Sequence, residues 1–186
     1  MPYNAELFQN KLVTYSAPTL VHLKVGSLFC ISKEDFPNHD ECLDYFNDLF
    51  VASGLKICIL KTCQTRLMIY IYHEDKLERL LKDDAIMAFM STYGYQYNKA
   101  DEALEALKLR LRSDTFPHEI GIFLGYPLYD VQFFISYPHH QKCIGCWKVY
   151  GNQKNAQKKF DRFECVKNDI YRRLSDGQTI IDVLSS

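Results

Sequence analysis

Two runs rich in β-branched and aromatic residues, Leu55 to Thr62 (LKICILKT) and Arg66 to His73 (RLMIYIYH), are separated only by Cys63-Gln64-Thr65. A link this short and polar between two such runs specifies an antiparallel hairpin. In the second run Leu67, Ile69 and Ile71 alternate with Met68, Tyr70 and Tyr72. Because successive strand residues point to opposite faces, both faces of this strand carry apolar bulk, and it belongs in the middle of a covered sheet. Any fold for the chain has to be built around it.

Other segments supply the neighbours. Ser27 to Ser32 reads as a strand. Residues 5 to 14 read as a short helix that stops near Ser16, since Pro18 disfavours helical geometry in the residue before it. Helical spacing of Leu43, Phe46, Leu49 and Phe50 predicts a helix from Pro37 to Ser53, with Gly54 as its stop. Glu74 to Lys82 and Asp84 to Thr92 give two more short helices. Asn98 is placed to cap a further one whose acidic start and basic end match the helix dipole.

Pro117 to Gly125 and Pro127 to Ser136 read as two short helices meeting at Gly125-Tyr126-Pro127. The longest helical pattern runs from Asn152 or Gln153 to Leu174, with Ala156, Phe160, Phe163, Ile170 and Leu174 on one stripe and Gly177 as its end. Ile180 to Leu184 adds a terminal turn. With Cys143 to Tyr150 as a fourth strand, the order is β-α-β-β-α, a helical insert, then β-α. The expectation is a single α+β domain over residues 1–186, with a small, mostly antiparallel sheet that admits a ferredoxin-like β-α-β-β-α-β order and helices on one face.

Composition narrows the function classes. The chain of 186 residues is 47% apolar and 24% charged, globular values, and its net charge of −1 gives no global reason to expect nucleic acid as a partner. The longest apolar runs fall far short of a membrane span, and the N-terminus lacks the pattern of a secretory signal. Seven cysteines scattered through predicted elements fit reduced thiols better than a disulfide framework. A cytoplasmic protein is expected. Six acidic residues and no Lys or Arg lie between Glu34 and Asp48, whereas the last long helix carries Lys154, Lys158, Lys159, Arg162, Lys167, Arg172 and Arg173. Such faces could pair in a homo-oligomer.

The stretch HHQKCIGCWKVYG, His139 to Gly151, raises a metal or redox reading. Cys143 and Cys146, with His139 and His140, are the residue types zinc takes, and Gly145 permits a tight turn. No second ligand pair exists in the sequence. If a strand runs through the pair, Cys143, Gly145, Trp147 and Val149 point one way and Ile144, Cys146, Lys148 and Tyr150 the other, which keeps the thiols apart. The strand reading is therefore preferred, with Trp147 as a packing anchor. His118-Glu119 is not the zinc-protease motif, because Ile122 stands four residues after His118. Residues adjacent in a helix point about 100° apart, so the two do not form an acid–base pair. His118 remains a candidate pocket residue, and Tyr93, Tyr95 and Tyr97, with Tyr126 and Tyr129 further on, are candidates for contact with a flat ligand, against the commoner role of half-buried packing. No motif specifies a nucleotide or another cofactor, and none is expected.

Three segments resemble a known family. APTLVHLKVGSLF (Ala17 to Phe29), FPHEIGIFLGYPLYDVQFFI (Phe116 to Ile135) and KCIGCWKVYGNQKNAQKKF (Lys142 to Phe160) are similar to the family catalogued as domain of unknown function 3793, found mainly in anaerobic clostridia and their relatives. The resemblance implies a bacterial, intracellular protein and places His118, Glu119, Gly125, Tyr126, Pro127, Cys143, Trp147 and Tyr150 in signature segments. It implies no catalytic residue. The expectation is a binding or regulatory module without catalysis for a small-molecule or protein ligand, with His118, Glu119, Tyr126, Tyr129, Trp147 and Tyr150 as binding residues. The alternative is a metal- or thiol-dependent protein using Cys143, Cys146 and one of His118, His139 or His140.

Overall fold

A computed structural model of the chain describes residues 2–185. The elements are α1 (Ala5–Leu20), β1 (Gly26–Ser32), α2 (His39–Phe50), β2 (Leu55–Thr62), β3 (Arg66–His73), α3 (Glu74–Leu81), α4 (Asp84–Ser91), α5 (Ala100–Arg110), α6 (Ile120–Phe123), α7 (Leu128–Ser136), β4 (Cys143–Ile144), β5 (Lys148–Val149), α8 (Gln153–Ser175) and α9 (Ile180–Leu184). The α+β class holds: β1, β3 and β2 form an antiparallel sheet with β3 in the middle.

The alternation in β3 explains the layering. Leu67, Ile69 and Ile71 enter a core with Phe8 and Leu12 of α1, Phe46 of α2 and Ile170 of α8. Tyr70 and Tyr72 enter a second core with Leu77 of α3, Leu104 of α5 and Ile122 and Phe123 of α6. Helices therefore cover both faces of the sheet, not one. Fully burying side chains of this size is worth about 1.5–3 kcal/mol each, and here the gain is collected on two sides of one strand.

Three local expectations are revised. The first helix passes Pro18 and ends at Leu20, because proline sits in the final turn, where few backbone bonds are lost. The cap of α5 is Lys99, not Asn98. Carboxylates satisfy that helix start instead, the Asn98 amide donating to Glu102 at 2.7 Å and the Ala100 amide to Glu78 at 2.7 Å. The expected fourth strand does not join the sheet: β4 and β5 pair only with each other, Cys143 opposite Val149, so a ferredoxin-like order is not formed. Gly145 and Cys146 turn the chain where an uninterrupted strand was expected. Among the described residues no helix is long and apolar enough to cross a membrane.

Candidate functional site

The Gly125-Tyr126-Pro127 corner joins α6 to α7 and is fastened to the sheet. The hydroxyl of Tyr70, from β3, donates to the Phe123 carbonyl at 2.6 Å in full burial. Gly125 takes a φ of +70°, a conformation that costs glycine least. At Gly121 a Cβ would stand 2.8 Å from Val131, so the bare glycine lets α7 lie directly on α6.

Asp130, in the first turn of α7, ties this corner to the β4–β5 hairpin. Its carboxylate is 4% exposed and accepts three N–H bonds: from the Trp147 indole at 2.8 Å, the Tyr150 amide at 2.9 Å and the Gly151 amide at 2.8 Å. Charge-assisted bonds of this kind are the stronger class, and all three donors come from one short segment. Asp130 thus fixes both the path of the chain after β5 and the plane of the indole. Trp147 packs edge-on against Phe160 of α8, ring centres 4.6 Å apart, and stacks on Tyr126 at 5.1 Å.

Docking the hairpin on the corner leaves a groove of about 370 Å³ between them. It is lined by Phe116, Ile120, Leu124, Val131, Phe134 and Trp147, together with His118, Lys148, Asp130 and Tyr126. The His118 ring meets Phe134 edge-on at 5.0 Å. Lys148 places its ammonium 5.2 Å from the centre of the Phe134 ring and donates to the Pro138 carbonyl at 3.2 Å. An ammonium carries three donors, so Lys148 keeps capacity for a ligand. The groove can accept a compact apolar body with one polar or anionic end. A larger hollow of about 640 Å³ lies between β2 and α5, but charged side chains line it, and Lys56 and Glu74 already pair there.

His118, Tyr126 and Trp147, singled out in the sequence, meet in this groove. The other three go elsewhere. Glu119, 1% exposed, turns inward to an ion pair with Arg110 of α5 and accepts from the Tyr95 hydroxyl at 3.2 Å. That pair raises the Arg110 guanidinium pKa through the Glu119 hydrogen bond, while burial holds the Tyr95 phenol far above its usual range. Tyr129 is half exposed and stacks on Phe133 at 4.3 Å. Tyr150 is buried, its hydroxyl donating to the Pro138 carbonyl at 3.1 Å, and it serves the hairpin rather than the groove.

Cys143 lies in β4 and Cys146 in the β4–β5 turn, so face alternation does not carry from one to the other. Cys143 is partly buried beside Trp147, Cys146 is exposed, and His139 and His140 are exposed in the preceding loop. Among the described residues no group of three or more His, Cys, Asp or Glu side chains is placed to hold a metal ion. All seven cysteines carry free thiols. Burial raises the Cys146 thiol above its ordinary pKa, with Lys24 opposing. Burial likewise pushes the Tyr126 phenol up to about 12.

Sequence reading missed Asp130, Lys148, Phe116 and Phe134. Asp130 resembles any acidic residue favoured by a helix start, and nothing local announces donors 17 to 21 residues away. Neither characterised proteins nor solved structures yielded a match to the chain. A family model described as a protein of unknown function, DUF3793, matches residues 12–184, and the chain belongs to that family.

Proposed function

We propose that this protein is a non-catalytic binding module of a reducing cytoplasm, and that it takes a small molecule with a compact apolar or aromatic body and one anionic end. The observation that carries the reading is the groove itself. Two segments are locked together by a buried carboxylate, and the space left is lined by six apolar side chains together with a lysine and a histidine. Small-molecule sites share this make-up of apolar walls and a few polar groups that set orientation. Seven free thiols support a reducing compartment. The thiol-dependent alternative is less well supported, because neither Cys143 nor Cys146 lines the groove.

Naphthalene-2-carboxylate is a suitable probe, and Trp147, the only tryptophan, reports on it. Titration should quench Trp147 emission to saturation. Phe134→Ala, which removes one wall from a partly exposed position, should weaken binding about tenfold through lost apolar contact. Quenching that never saturates, or an affinity unchanged by both Phe134→Ala and His118→Ala, would reject the reading.

A further inference from the structure

Strand β2 stands at the end of the sheet, and among the described residues no further strand pairs with its outer edge. In an antiparallel ladder alternate residues bond the partner strand with their backbone groups and the others turn theirs away from it. Ile57 shows which residues of β2 turn theirs outward. Its carbonyl accepts from the Asn47 side-chain amide at 2.9 Å, and its N–H donates to the Asn47 side-chain oxygen at 2.7 Å. Pairing with β3 keeps one register from Leu55 to Ile59, so the backbone groups of Leu55 and Ile59 face outward as those of Ile57 do. Asn47 thus does with one side chain what a residue of a fourth strand would do with its backbone.

A cleft follows this edge. The hollow of about 640 Å³ is lined by Gly54 to Cys58, by Asn47 and Asp48 of α2, and by Asp101, Glu105 and Lys108 of α5. Helix α2 packs on one face of the sheet and α5 on the other, so the two helices flank the space that a fourth strand would fill. An open edge of this kind is a template for pairing with another chain.

Charge selects the occupant. Within the cleft Lys56 pairs with Glu74, and Lys108 pairs with Glu105 at 2.6 Å. Asp48 and Asp101 also line it, and neither forms an ion pair among the described residues. Glu41 and Asp44 continue the exposed acidic row of α2. The cleft is therefore negative, with one unpaired carboxylate on the helix at each face of the sheet.

We propose that β2 takes up an extended segment of a partner protein as a fourth strand, and that adjacent Lys or Arg residues of that segment pair with Asp48 and Asp101. Successive strand residues point to opposite faces, so two neighbouring basic side chains reach α2 and α5 respectively. The guest takes over the two bonds that Asn47 holds and adds bonds at Leu55 and Ile59. Main-chain pairing then supplies affinity, and the two carboxylates choose the partner. This surface is separate from the apolar groove, and each stands or falls without the other.

The hexapeptide TVKRVT, blocked at both ends, is the probe, titrated on the full chain at low ionic strength with amide shifts and hydrogen exchange as readouts. Binding should saturate, slow exchange of the Leu55 and Ile59 amides and leave the Trp147 indole signal unmoved. TVEEVT should bind at least about tenfold more weakly. Asp48→Asn with Asp101→Asn, both exposed positions, should weaken TVKRVT about fivefold, the loss expected of two surface ion pairs. Removing the same charge elsewhere, by Glu6→Gln with Asp114→Asn, should change binding by less than about twofold. Two forms of TVKRVT, methylated at one or the other set of alternate backbone nitrogens, carry equal charge. The form that loses its ladder donors should bind about tenfold more weakly than the other. Equal binding of the two forms would reduce the contact to charge alone and overturn the proposal. So would the absence of saturable binding, unchanged exchange at Leu55 and Ile59 with bound peptide, or self-association of the chain that protects those amides without it.

Discussion

Asp130 holds the groove together, and its removal is the sharpest perturbation available. Asp130→Ala leaves the Trp147 indole N–H and the Tyr150 and Gly151 amides without their acceptor. A buried donor left unpaired costs about 1–3 kcal/mol. Three such losses are not additive, because water can enter from the groove and the hairpin can undock to limit the damage. We therefore expect a net loss of about 3–5 kcal/mol, which for a chain of this length lowers the melting temperature by about 6–20 °C. Asp130→Asn is the finer instrument. Its carbonyl oxygen can still accept from the two backbone amides, but its NH2 group then faces the Trp147 N–H, donor against donor. It should cost about 1–3 kcal/mol, and most of that should vanish in a Trp147→Phe background, where the opposing donor is gone. Urea unfolding gives the energies, and hydrogen exchange of the Tyr150 and Gly151 amides locates the change. A loss below about 1 kcal/mol for Asp130→Ala, with Trp147 emission and Tyr150 protection unchanged, would refute the reasoning.

Two further predictions follow from buried charges elsewhere. Arg110→Met strands the Glu119 carboxylate and should cost about 3 kcal/mol, whereas Arg110→Met with Glu119→Gln should recover at least half of it in the same urea assay. No recovery would mean that the pair acts through packing alone. The rings of His22 and His73 lie 4.6 Å apart. Burial lowers both pKa values, helped at His22 by Lys76 and at His73 by His22, Lys76 and Arg79, with Asp75 opposing. The unfolded chain takes up protons near pH 6.5 that the fold resists, so the pair's contribution should be fully present above that pH and be lost as pH drops below about 6.5. His22→Gln with His73→Gln should flatten the fall, and an unchanged profile of urea midpoints would exclude the pair as its source.

What the sequence disclosed follows from how local each signal is. The β2–β3 hairpin, the central place of β3 and the stripe of α8 are written in periodicity over neighbouring residues, and each appears where periodicity puts it. The Gly125-Tyr126-Pro127 corner was legible for the same reason. The β4–β5 turn was not, because C-I-G-C-W-K-V reads equally well as one strand or two. What fixes the chain after the turn is Asp130, 13 residues before Cys143, through its bonds to Trp147, Tyr150 and Gly151. The separation of His118 from Glu119 was expected from helix geometry, but the partner that draws Glu119 inward, Arg110, sits on another helix. Lys24 is a plain lysine in sequence, and only the fold sets its ammonium over the Tyr126 ring.

The central claim, that the corner and the hairpin enclose a binding groove, is tested most directly by intermolecular nuclear Overhauser effects between bound naphthalene-2-carboxylate and methyl-labelled protein. The account predicts contacts to the methyl groups of Ile120, Leu124 and Val131, weakened in Phe134→Ala at a probe concentration near the wild-type Kd. Contacts to Leu55 and Leu104 in the charged hollow beside β2 and α5, or none at saturating probe, would contradict it.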